Sequence, residues 1–383
     1  MAGIDEQWLH EASDVEEAAA LTAELVSHRS YPGEEKAVQE AVAAWFRAQG
    51  LTPEVTDAAP NRPNVTVRIE NGPGPVLLLN GHTDTVLAAK GWASDPWRGR
   101  RGGDTFFGLG ACDMKSGVAA GMLATRALAR RPDLWRGTVL FTSVVDEEAY
   151  SLGAHALIDS GITADYCLVL ESSWDWPCLG SIGKVLVRAD VTGRAAHATW
   201  PEQGINAAVE AARFVARLDA FPLGDHPRMR ATQCVLSFHS GSEQYVITVP
   251  EFARVTINRH TLPGQTSDEV LAQMQALAAT LASPAEFSFS VDPPYYPPWE
   301  TDPNHPLVSM FTAAYEAEIG KRPRYAYRGF GDANLFSTEA GIPTVQFGPH
   351  GGGFHEANEW VDLPSIAGVV RVLLRLTPEL LPV

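Results

Sequence analysis

Short apolar runs that alternate with helical stretches restrict the fold of this chain more than any other feature. Val76–Asn80, Thr138–Val145, Cys167–Leu170 and Thr344–Phe347 are each long enough for one buried strand and too short for a buried helix. Pro75 and Gly81 bound the first, and Gly341-Ile342-Pro343 precede the last. Between these runs, 116–130 reads as a helix. So do two earlier stretches: 13–28, where Ser13 and Glu16 have capping-box spacing, and 34–49. In the latter, Val38, Val42, Trp45 and Phe46 repeat on one face, and Gly50 stands where a C-terminal cap belongs. Strands that alternate with helices predict an α/β layer with a mostly parallel sheet flanked by helices.

The middle of the chain keeps a different rhythm. Val185, Val187, Ala189 and Val191 alternate with polar neighbours, as in a half-buried strand. A helix over 205–218, strands over 232–238 and 252–260, a helix over 267–281 and an alternating strand at Phe287, Phe289 and Val291 follow. This β-α-β-β-α-β order is the ferredoxin-like α+β signature. The prolines at 293, 294, 297 and 298 read as a stiff connector after it. The expected layout is an α/β domain over 1–181 and 294–383, interrupted by a ferredoxin-like domain over 182–293. A length of 383 residues fits two or three domains.

Charge narrows the partners. With 46 acidic against 29 basic side chains the net charge is −17, which disfavours nucleic acid and anionic membrane. No apolar run reaches the length of a membrane span. The first residues lack the basic and apolar regions of a signal peptide. The cysteines at 112, 167, 178 and 234 form no Cys-x-x-Cys pair, which suits reduced thiols and a cytoplasmic setting.

The chemistry gathers where the strands end. His82 and Asp84 follow the first apolar run, Asp146-Glu147-Glu148 the second and Glu171 the third. His355 lies in the glycine-rich loop after the fourth, and Asp113 lies in the loop that opens the helix at Ser116. Parallel strands expose their carboxyl ends along one rim, so these distant residues are expected to converge there. Clustered carboxylates repel unless cations separate them. Two divalent ions answer three carboxylates and a bridging hydroxide charge for charge, and two neutral histidines add ligands without charge. Nitrogen and oxygen donors without thiolate suit Zn²⁺ and leave Co²⁺ or Mn²⁺ as substitutes.

Five motifs then carry a family resemblance. They are Gly81-His82-Thr83-Asp84-Thr85-Val86, Gly108 to Gly117 with its Asp113-Met114-Lys115, Asp146-Glu147-Glu148, Gly193 to Ala198 with His197, and Phe347 to His355 with Asn358-Glu359. In this order the chain resembles the acetylornithine deacetylase / succinyl-diaminopimelate desuccinylase / carboxypeptidase G group of dinuclear zinc amidohydrolases. The resemblance implies that His82 and Glu171 bind one metal, Glu148 and His355 the second, and Asp113 bridges both. It implies Asp84 as the partner that orients His82, Glu147 as general base, and the interrupting domain as a lid and dimerisation surface. His197 would steady the oxyanion, often across a dimer, and Arg259 would take the substrate carboxylate; by itself, Arg259 also reads as a strand-end surface charge.

The chain departs from the resemblance at Val246–Pro250, which lacks an asparagine common before that proline, at Asn258, where aspartate is common, and at His350, where glycine is common. These positions bear on substrate. Tyr150, Trp174, Trp176 and Trp200 read equally as an apolar pocket or as packing. The expected activity is metal-dependent hydrolysis of an N-acyl amino acid or small carboxylate-bearing amide by a homodimer. A dipeptidase or carboxypeptidase of the same group is the alternative. A non-catalytic binding protein on this fold would normally lack a ligand or the base, and none is missing.

Overall fold

The computed structural model describes residues 5–219 and 221–383. Ile4 and the residues before it, on which part of the signal-peptide reading rests, lie outside them. The described residues form two compact units. The first runs up to Gly180 and resumes over Glu300–Tyr327 and Gly331–Val383, and the second comprises Ser181–Trp299 and Arg328–Phe330.

The first unit is built on a nine-stranded sheet. From one edge its strands are Pro53–Ala59, Arg62–Asn71, Gly137–Val144, Val76–His82, Tyr166–Val169, Thr344–Gln346, Cys178–Ser181 and Trp299–Glu300, with Ala326–Tyr327 beside Cys178–Ser181. The central four strands are mutually parallel. These are the four apolar runs of the sequence. Every residue of Gly137–Val144 is buried, as a strand covered on both faces requires. The helix Ser116–Ala129 packs on this sheet and against the long C-terminal helix Leu363–Leu380. A second small sheet joins Gly351–Gly352, Trp360–Asp362, Thr105–Phe107 and Arg100–Gly102.

One capping assignment shifts by a residue. Asp14, not Ser13, caps the helix Val15–Ser27 by accepting from Glu17 N at 2.7 Å. Ser13 turns back to Leu9 O because a further helix, Glu6–Ala12, precedes it.

The second unit is a four-stranded antiparallel sheet in the order Gln233–Ser240, Phe252–Thr261, Gly183–Thr192, Glu286–Tyr296. Its helices, Ala207–Leu218 and Ser267–Ala279, bury Phe214, Val270 and Met274 against Val185, Val187, Val255 and Ile257. The proline-rich stretch is no free connector at its start, because the last strand continues to Tyr296. That strand lies at the sheet edge, where a proline without an N–H removes no inward ladder bond.

Candidate metal centre

Register along the parallel strands brings the site together. Asn80 lies opposite Val169, and Val169 opposite Gln346. His82 and Glu171 each follow this row by two residues and therefore leave the sheet at one level. His82 is itself opposite Val144, so the loop with Asp146, Glu147 and Glu148 begins beside it. His355 sits at φ +60° in the hairpin loop between Gly351–Gly352 and Trp360–Asp362. Asp113 precedes the helix at Ser116. This helix start approaches the third strand so closely that a Cβ on Gly117 would lie 1.9 Å from Leu170 O.

The result is two groups of potential metal ligands that share Asp113. His82, Asp113 and Glu171 form one, and Asp113, Glu148 and His355 the other; within each, the ligand atoms lie within 4.8 Å of one another. His82 Nε2 is 3.1 Å from Glu171 Oε1 and 3.4 Å from Asp113 Oδ1. His355 Nε2 is 3.3 Å from Asp113 Oδ2 and 3.2 Å from Glu148 Oε2. Glu147 stands beside both groups and belongs to neither, with Oε2 3.7 Å from His82 Nε2.

Asp84 ties the two loops together. Its carboxylate accepts the amides of Glu147 and Glu148 at 3.1 and 2.9 Å. It also lies 3.4 Å from His82 Nδ1, on the ring edge opposite the ligand atom. One buried aspartate thus orients the imidazole and fixes the backbone that bears both glutamates.

The site concentrates buried negative charge. Burial, followed by the charge of Asp113, pushes Glu171 up to about 7. Burial likewise raises Glu147 and Glu148. His355, facing Asp113 and Glu148, is raised to about 10. Burial alone would lower His82, yet Glu147, Asp113, Asp84 and Glu171 together carry it well above its ordinary value. Burial opposes the charge on Asp113, but His355 and His82 outweigh it and hold that carboxyl below the usual range. Clustered buried carboxylates of this kind are stabilised by cations held among them. His82 Nε2 is buried and makes no hydrogen bond despite the acids around it. An orphaned imidazole nitrogen ringed by carboxylate oxygens fits divalent metal ions.

Several contributors have little local signal in the sequence. Arg62 bridges Glu35 and Asp146, which are 27 and 84 positions away, and so anchors the turn ahead of Glu147. Asp146 itself takes φ +70°. Gly331 passes so near Glu147 that an added Cβ would lie 2.1 Å from its Oε1. Next to it, Asp332 is buried, and burial pushes its carboxyl up to about 7. Glu359 belongs to a quoted motif but carries no role there. It is fully enclosed and accepts three backbone amides from the Asp113 loop.

His197 and Arg259 belong to the second unit. His197 Nδ1 accepts from Thr199 N at 3.2 Å, and its ring lies 5.3 Å from Trp200. Arg259 is no surface charge: it is 0% exposed, and none of its guanidinium nitrogens has a hydrogen-bond partner. Of the four aromatics, Trp174 stacks on Phe347 and joins the core of the first unit. Tyr150, Trp176 and Trp200 are exposed.

Five acids and histidines at the mouth of a parallel sheet, in two groups that share one aspartate, define a dinuclear metal-dependent amide hydrolase. The chain belongs to peptidase family M20/M25/M40, whose description matches residues 78–379. It is 27% identical over 392 aligned residues to a succinyl-diaminopimelate desuccinylase of Methylobacterium radiotolerans, covering 97% of this chain and 98% of that one. Its fold is similar to aminopeptidase PepT from Bacillus cereus, with a TM-score of 0.79 and 23% identity over 96% of this chain and 99% of that one. It is also similar to the YXEP protein of Bacillus subtilis, described as a dinuclear metal-binding peptidase, with a TM-score of 0.73 and 17% identity over 97% and 98% of the two chains. No helix among the described residues is long and apolar enough to cross a membrane.

Proposed function

We propose that the protein hydrolyses the amide bond of an N-acyl amino acid, or of a related small amide with a free carboxylate, at a pair of zinc ions. The observation that carries this reading is the convergence of both ligand groups on Asp113, with the Glu147 carboxylate beside them at 3.7 Å from His82 Nε2. His82, Asp113 and Glu171 would hold one ion and Asp113, Glu148 and His355 the other. Zn²⁺ suits these donors, and Co²⁺ or Mn²⁺ would substitute. When bound, the ions supply the Lewis-acid charge that polarises the scissile carbonyl and acidifies the attacking water.

The protein's own groups do the rest. Glu147 takes the proton of the attacking water at its carboxylate and later delivers it to the leaving amine. Asp84 keeps His82 and the Glu147 backbone in register. Because His197 Nδ1 accepts a backbone amide, a neutral ring carries its proton on Nε2 and donates from there to the oxyanion. Arg259, buried with an unpaired guanidinium, receives the substrate carboxylate in a bidentate pair. Succinyl-diaminopimelate desuccinylase activity among the relatives supports the deacylase reading. The peptidases among the structural neighbours keep an exopeptidase of the same mechanism as the second.

Chelator-stripped protein should be inactive on a panel of N-acyl amino acids and dipeptides and should recover with Zn²⁺ or Co²⁺. Acyl amino acids should be the better substrates. Preference for dipeptides would select the exopeptidase, and activity that survives metal removal would overturn the mechanism.

The second unit would also form a homodimer. The strand Gln233–Ser240 is a sheet edge with Leu236 59% and Phe238 40% exposed, next to an exposed Tyr245-Val246-Ile247. An open apolar edge favours pairing with a second copy. Sedimentation should give a dimer that F238E weakens, whereas a monomer across micromolar concentrations would refute it. A cytoplasmic setting fits four cysteines none of which forms a disulfide.

A further inference from the structure

The loop that delivers the shared ligand Asp113 is held by a carboxylate from another part of the chain. Glu359 is 1% exposed. Its Oε1 accepts Cys112 N at 2.7 Å and Asp113 N at 2.9 Å, and its Oε2 accepts Gly110 N at 2.8 Å. Its own carbonyl accepts Gly108 N at 3.0 Å. Next to it, Trp360 pairs with Phe107 in the small sheet. Three amides on one carboxylate form an anion-binding nest in which the anion is a side chain of the same protein.

Glu359 adds negative charge beside a centre already crowded with acids, so electrostatics alone would disfavour it. It also lies four residues after His355 in one hairpin loop. The geometry points to Glu359 as a positioning residue that presets bridging Asp113 and couples its loop to the His355 loop before any metal binds. It touches neither substrate nor metal. This rests on the dinuclear reading above, but its mechanical part can be judged without it.

The test is competitive Zn²⁺ titration of the stripped full-length protein against a chromophoric chelator, for wild type, E359Q and E359D. Glutamine has the same shape but turns an amino group towards at least one of the amides. E359Q should raise the dissociation constant of at least one ion by about 10- to 100-fold. E359D, which keeps a carboxylate, should recover part of the loss. At saturating Zn²⁺, KM for substrate should stay within about 2-fold, which a general loss of structure would not leave intact. A folded E359Q with the wild-type titration curve would overturn the proposal.

Hydrogen exchange at residues 110–113 of metal-free wild type covers the case in which E359Q fails to fold. Protection there is expected, and exchange at the rate of an open loop would also overturn the proposal. Wild type that bound no zinc would sink the dinuclear reading instead, and the exchange experiment would still decide the clamp.

Discussion

E147Q should retain both metal ions and lose about 10³-fold in turnover, within the range ordinarily supplied by a positioned general base. The argument is one of position. Neither ligand group uses Glu147, so the substitution leaves three donors for each ion. The backbone of residue 147 still donates to Asp84, so the loop keeps its place. Glutamine fits the space beside Gly331 and cannot accept the proton of the attacking water. Burial raises the Glu147 carboxyl well above its ordinary value, and the neighbouring acids Glu171, Asp332 and Glu148 add to the rise. Metal content by mass spectrometry and steady-state rates on the same preparation decide the matter. A variant with full metal and near-normal kcat would remove Glu147 from the role of base. A variant that lost its metal would show that Glu147 is a ligand.

R259M should move two observables in opposite directions. The free protein should become more stable, by on the order of 1–4 kcal/mol, because an enclosed guanidinium without a partner is a liability that an apolar side chain of similar length removes. Catalysis should suffer. Hydrogen bonds to a charged group contribute about 1.5–3 kcal/mol each, so loss of a bidentate pair should lower kcat/KM at least about 100-fold. A substrate with its carboxylate converted to an amide isolates the cause: it should be poor for wild type and no worse for R259M. Equal discrimination by both proteins, or a destabilised R259M, would assign the arginine to structure. Few residues chosen for packing would gain stability and lose function in a single step.

The four parallel strands are legible in the sequence because a strand buried on both faces must be continuously apolar, and few other elements are so short and uniform. The rim follows from them, since parallel strands end together. His82, Glu171 and the glutamate pair need only that rule to be placed. What the sequence hides is whatever works through distance. Arg62 has no pattern that ties it to Asp146, 84 positions on, and the pairing exists only once the strand Arg62–Asn71 lies beside Gly137–Val144. Arg259 reads equally as a surface charge, because alternation along a strand does not tell which polar side chains will be enclosed. Ser13 and Asp14 compete for one cap, and the helix before them decides it.

The interrupted first unit has a consequence for how the protein is made. Its central sheet needs Thr344–Gln346, and its second ligand group needs His355, both of which leave the ribosome after the second unit is complete. Domains generally fold as units in order of synthesis. The earlier candidate ligands, His82, Asp113, Glu148 and Glu171, therefore wait in an unfinished sheet while the inserted unit folds. His355, which closes the second ligand group, is made only after them. The order of the chain thus postpones a complete metal centre until the inserted unit has been synthesised.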